Sequence, residues 1–211
     1  MKLYSMPGTC ALSVHIALEW IGAPYQLELM AHGDNRQPQY LTVNPSGKVP
    51  SVVLDDGRVL TQAAAILTWL VDVNPTAGLG ATSDQPLERF ELEECLSYLT
   101  SEVHVAFGPF FAPFRYLNDE SQFDALKQKS LNQVAAHMTA LDGVLANASY
   151  LVRNNRSVAD AYLYVLTRWI DNLHGGIKTF RHLARFRAAM EQDAGVARAL
   201  VGQDMKPLGA A

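Results

Sequence analysis

The first 75 residues change their hydrophobic period several times, and the order of those changes limits the fold more than any composition value. KLYS (2–5) reads as a short strand stopped by Pro7-Gly8. Residues 10–21 place Leu12, Ile16 and Trp20 at helical spacing beside Ala17 and Ile21, and Gly22-Ala23-Pro24 ends the run. YQLELM (25–30) alternates as a strand does, and HGDNRQPQY (32–40) is a polar loop with at most one helical turn. SVVL, Asp55-Asp56-Gly57 and RVLT read as a hairpin, followed by a helix over 62–73 that closes at Asn74-Pro75. A strand–helix–strand unit needs a crossover and parallel pairing, whereas a hairpin pairs antiparallel. The expectation is a mixed sheet of four strands with covering helices.

TAGLGATSD (76–84) is small and polar, and everything after it has helical spacing. Residues 85–107 read as one helix with Leu92, Leu96, Leu99 and Val103 on one stripe, and 123–146 as a second. Ser157 and Asp160 start a third with a capping box. A fourth covers about 180–192, with its Arg181–Arg187 cations on a solvated face, and a short one ends the chain. The fold class is therefore α/β followed by all-α, with domains over 1–76 and 85–211 joined by a linker at 77–84.

With 49% hydrophobic and 18% charged residues, 211 residues can bury a large core. The net charge of −4 argues against nucleic acid or an anionic membrane as partner. MKLYSMPG is not a signal peptide, and no apolar run approaches the roughly 18 residues of a membrane span. Two cysteines make no disulfide framework. These features place the chain in the cytoplasm with reduced thiols, and no metal-ligating pattern is read.

Thr9-Cys10 opens the first helix, where free N–H groups and the helix dipole lower a thiol's pKa. A packed, inert cysteine is the competing reading. Ser13 stands where a Cys-x-x-Cys pair would have its second sulfur, so a dithiol cycle within this motif is excluded. Lys48-Val49-Pro50 precedes the third strand; in a thioredoxin-like domain a cis proline here exposes the backbone of the residue before it to a peptide, while a trans proline opening a strand is the ordinary case. Gln62 and Ala63 open a helix, where backbone N–H groups suit a carboxylate.

MKLYxxPGxC, NPSGKVP, TQxxAI and SVADAY occur in this order over essentially the whole chain. The chain so resembles the cytosolic glutathione transferases, closest to the bacterial beta class. The resemblance implies a thioredoxin-like βαβ-ββα domain that binds glutathione, an all-helical domain that lines an electrophile pocket, and a homodimer. It implies that Cys10 faces the glutathione sulfur with His104 of SEVH as its partner. Val49, before a cis Pro50, would hold the cysteinyl backbone, and Gln62 and Ala63 the γ-glutamyl group. Ser97 stands where members carry an Asn that reaches the partner subunit's site. Ala63 replaces a common Ser, a loss of about 1.5–3 kcal/mol for one bond to a charged group, and Val105 replaces a common Lys. The implied activity is conjugation of glutathione to apolar electrophiles. A glutathione-dependent thiol-disulfide reductase and a weakly catalytic apolar-ligand binder are the alternatives. Phe107–Tyr116, Tyr164 and Trp169 are candidates for the electrophile side.

Overall fold

Strand β1 (Lys2–Ser5) holds the sheet together because it pairs in both directions. It runs parallel to β2 (Gln26–Leu29), with Leu3 opposite Leu27, and antiparallel to β3 (Ser51–Val53), with Leu3 opposite Val52. The hairpin brings β4 (Val59–Thr61) against β3, giving the order β2-β1-β3-β4. The mixed four-stranded sheet expected from the element order is the one found. The computed structural model describes residues 1–173 and 175–209. His174, Ala210 and Ala211, which fall within the expected helical domain, lie outside the described residues.

Helix α1 (Ala11–Ile21) makes the crossover and ends at Gly22 in the left-handed region, φ 72°. It is buried almost all round: Leu12, Ile16 and Ala17 as their spacing requires, but also Ser13, Val14, His15 and Leu18. One side meets β1 and α3 (Ala63–Val73); the other meets α8 (Val158–Trp169) and α10 (Ala194–Gly202). The polar loop forms a turn at Asp34–Arg36 and the single-turn α2 (Pro38–Leu41).

The helical part runs α4 (Pro86–Tyr98), α5 (His104–Ala106), α6 (Gly108–Phe111), α7 (Phe123–Val144), α8, α9 (Arg181–Glu191) and α10. The stretch 85–107 is not one α-helix. Leu99–Val103 forms a π-helical turn that keeps Leu92, Leu96, Leu99 and Val103 buried while changing the direction in which His104 leaves the helix. Such wide turns are frequent at functional sites. The basic stretch also departs from expectation. Arg187 is buried, 3.0 Å from Asp171, and Arg185 donates to the carbonyls of Leu145 and Ala148. None of the described helices is long and apolar enough to cross a membrane.

The expected capping box is present, and Asp160 does more than cap α8. Its carboxylate accepts from the Ser157 N–H (2.8 Å), the Ser157 hydroxyl (3.1 Å) and the Leu151 N–H (2.9 Å). Burial pushes the carboxyl up to about 6 against these donors, so it is ionised at neutral pH and accepts from all three. Asp160→Ala strands two backbone N–H groups in the core. The expected loss of unfolding free energy is about 2–4 kcal/mol, read as a lower urea midpoint at constant m-value.

Candidate functional site

The segment Asn44–Pro50 is held rigid by side chains rather than by a sheet. The Lys48 carbonyl accepts from the Tyr40 hydroxyl at 2.6 Å and the Asn44 amide at 2.8 Å. Asn44 in turn accepts from the N–H and hydroxyl of Ser46, and both Tyr40 and Asn44 reach the Ser51 hydroxyl. Gly47 sits at φ +62°, where a Cβ would come within 2.9 Å of the Asn35 carbonyl. The Val49-Pro50 bond is cis. Among the described residues the Val49 N–H has no partner, and its carbonyl takes only a long contact, 3.7 Å, from the Cys10 thiol. A complete backbone donor and acceptor thus face outward beside a sulfur, which suits an extended peptide.

The β3–β4 register pairs Ser51 with Thr61, so Gln62 falls beside Pro50. Gln62 adopts φ 68°, ψ 111°, a region that non-glycine residues rarely visit and that clusters at ligand clamps. It opens α3 with its side chain exposed, and the first-turn N–H groups of Ala63 to Ala65 have no acceptor. An anion placed there would meet both the free N–H groups and the positive helix end.

Cys10 is the residue just before α1, not in its first turn. Burial dominates its titration and pushes the thiol up to about 11. The Tyr162 hydroxyl, the local backbone and the charge of Lys48 oppose that shift without cancelling it. This corrects the expectation that the helix start alone lowers the pKa: taking the thiolate out of water costs more than the free N–H groups return.

Helices α5 and α8 supply the other side. His104 Nδ1 lies 2.6 Å from the Tyr162 hydroxyl, which also reaches the Cys10 thiol. Burial, and secondarily Lys48, hold His104 below its usual pKa, so it is neutral at pH 7. Burial and the nearby Cys10 raise the Tyr162 phenol far above its ordinary value, so it keeps its proton. The Trp169 ring meets His104 edge-on at 4.9 Å and packs on Phe107 and Phe111, and its indole N–H donates to the Gly8 carbonyl across the two domains at 2.9 Å.

The structure therefore brings together Cys10, Val49, Pro50, Gln62, Ala63 and, through Tyr162, His104. Ser97 stands apart, exposed on α4. Tyr164 does not face the cleft; it bonds Arg168 and Glu191 instead. Sequence reasoning passed over Tyr162 and Lys48. Helical spacing carried the signal for the first: Tyr162 and Trp169 are seven residues apart on one face, whereas Tyr164 is turned about 200° from Tyr162.

Two expectations follow for the free protein. Alkylation of Cys10 by iodoacetamide rises about tenfold per pH unit from 7 to 10, because the thiolate fraction does so below the pKa. Tyr162→Phe removes the hydroxyl that favours the thiolate, so its rate at each pH is lower and its profile lies at higher pH; an unchanged profile would remove Tyr162 from the site.

Residues 8–73 match the family model for the glutathione S-transferase N-terminal domain, and residues 99–193 the model for the C-terminal domain. The chain is 31% identical to glutathione S-transferase GST-4.5 of Xanthomonas campestris, covering 97% of this chain and 100% of that one. It is similar to a solved beta-class glutathione S-transferase from Sphingomonas chungbukensis (34% identity, TM-score 0.87, 98% and 100% of the two chains). A sphingomonad glutathione S-transferase solved in complex with glutathione matches equally well (35%, TM-score 0.87, 98% and 100%).

Proposed function

The chain belongs to the glutathione S-transferase family, and on that premise we propose that it conjugates glutathione to small apolar electrophiles, with Cys10 beside the glutathione sulfur. The observation that carries this reading is the unpartnered Val49 backbone next to a half-buried thiol and a free helix N-terminus. Val49 pairs with the cysteinyl backbone, Gln62 and the Ala63 N–H take the γ-glutamyl end, and that geometry lays the ligand's sulfur against Cys10, Tyr162 and His104. In this assignment residues 1–76 hold glutathione, 85–211 line the electrophile side, and 77–84 connect them.

Tyr162 is the single proton donor between two sulfurs and an imidazole. When the ligand is a thiol, the Tyr162 hydroxyl donates to His104 Nδ1; when the thiolate forms, the hydroxyl turns to donate to the sulfur and releases Nδ1. A chloronitroaromatic then reacts by formation of a C–S bond at the ring carbon and loss of chloride, while the thiol proton passes to solvent. Cys10 with a pKa near 11 is a poor attacking group at neutral pH, which favours conjugation over disulfide reduction by Cys10.

The partner of a second copy is proposed from α4. Leu87 and Phe90 are 63% and 57% exposed, and Ser97 shares their face at positions i, i+3 and i+10. A homodimer buries both apolar side chains and brings Ser97 to its neighbour. The two free cysteines, Cys10 and Cys95, fit a reducing compartment, and we place the protein in the cytoplasm.

Glutathione at millimolar concentration should raise the melting temperature and support conjugation of 1-chloro-2,4-dinitrobenzene. Neither effect in the intact chain would sink the assignment. Cys10→Ala should retain conjugation and lose any disulfide reduction. Phe90→Glu should convert a dimer to a monomer by light scattering; a wild-type chain that is already monomeric refutes the pairing.

A further inference from the structure

Beside Lys48 opens a cavity of about 360 Å³ that nothing in the conjugation scheme uses fully. Its walls come from both domains: Arg36 and Lys48 from the sheet domain, Arg115 from the turn that follows α6. Arg58, Arg89, Arg153, Arg156, Arg168, Arg187 and Arg198 each meet a carboxylate. Arg36, Lys48 and Arg115 meet none among the described residues, and no Asp or Glu lines the cavity. Three like charges left unpaired around one hollow repel one another, in a protein whose net charge is −4. That arrangement is relieved by an anion, and an arginine fork matches a carboxylate in two bonds.

Lys48 and Arg115 lead from the cavity toward the reacting centre along the chain. Lys48 directly precedes Val49, and its charge is felt by both Cys10 and His104. On the other side, Arg115 follows an aromatic wall in which Trp169 packs on Phe111 at 5.5 Å and Phe111 is half exposed. With glutathione laid along Val49 and its γ-glutamyl carboxylate at α3, one carboxylate, that of its glycine, remains to be neutralised. Three cations exceed that need, and the hollow has the volume of about ten water molecules.

We infer that the acceptor is itself acidic: an aromatic electrophile whose ring packs on Phe111 and Trp169 while its carboxylate is held by Arg115 in the cavity shared with Arg36 and Lys48. This rests on the transferase reading and narrows its substrate class. Arg115 is then the residue that sets acceptor specificity.

The test compares 4-chloro-3,5-dinitrobenzoate with its methyl ester, each rate divided by its uncatalysed rate. In both, glutathione's sulfur bonds to the ring carbon and chloride leaves, so only the remote acid differs. The wild-type protein should favour the acid at least tenfold in kcat/KM. Arg115→Gln should reduce that preference to about twofold or less, Arg115→Lys should restore part of it, and KM for glutathione should move less than twofold. Equilibrium dialysis of the unreactive 3,5-dinitrobenzoate should show binding that falls with added salt and is lost in Arg115→Gln. No preference for the acid in the wild type overturns the inference. So does an Arg115→Gln variant that raises KM for glutathione severalfold with the preference intact, which would give the cavity to the glycyl carboxylate alone. If neither acceptor reacts and glutathione gives no thermal shift, the transferase reading fails separately, and dialysis still decides whether the cavity takes an aromatic acid.

Discussion

The packing of α1 against α8 holds the rest of the structure in place. Leu12, Val14, Ile16, Ala17 and Leu18 are fully buried between the sheet and the helical domain. Each larger apolar side chain of this kind is worth roughly 1.5–3 kcal/mol when removed from water, so the joint between domains is as much core as the domains themselves. One continuous apolar cluster runs from Leu3 through α1 into Leu163 and Leu166. That packing carries Tyr162, on α8, to the thiol at the head of α1. A second tie is polar: the buried His15 bonds Tyr25 at 2.6 Å and Gln203 at 3.1 Å, and Gln203 reaches Ser5 on β1. Burial lowers His15 to a pKa of about 4, so this tie is uncharged at neutral pH and imposes no buried ion.

Around this joint the site divides its electrostatics. On the sheet side stand groups left open by backbone geometry: the outward Val49 amide, the strained Gln62 and the start of α3. On the helical side, the Cys10 thiol meets the Tyr162 hydroxyl, which rests on His104, and burial keeps both side chains uncharged. Fixed neutral donors in a water-poor setting stabilise a thiolate without requiring a competing charge. The unpaired cations lie farther out, at Arg36, Lys48 and Arg115, where water still reaches them and their own solvation cost is small. Neutral donors at the centre and cations at the rim are thus kept apart.

Much of this was legible in the chain. The alternation in KLYS and YQLELM, the Asp-Asp-Gly turn and the Gly and Pro stops set the element order, and the chirality of a crossover with the pairing sense of a hairpin left one mixed sheet. Cys10, Val49-Pro50, Gln62 and Ala63 were singled out by the resemblance to a family, because local turn chemistry at each position left a structural reading open. Ser157 and Asp160 formed the cap their spacing announced. These are short-range features, governed by sterics and by hydrogen bonds within a few residues.

Tertiary structure decided what depends on distant neighbours. It reversed the direction of the Cys10 shift, since the helix start is local but burial under α8 is not. It chose Tyr162 over Tyr164, broke the long helix with a wide turn at Leu99–Val103, and drew Arg187 from a solvated face to Asp171. It also assembled Arg36, Lys48 and Arg115, separated by up to 79 positions in the chain, around a single hollow. Periodicity states which face of an element is apolar; it does not state which other element covers that face. The dielectric around a group, and the charges that share it, follow only from that covering.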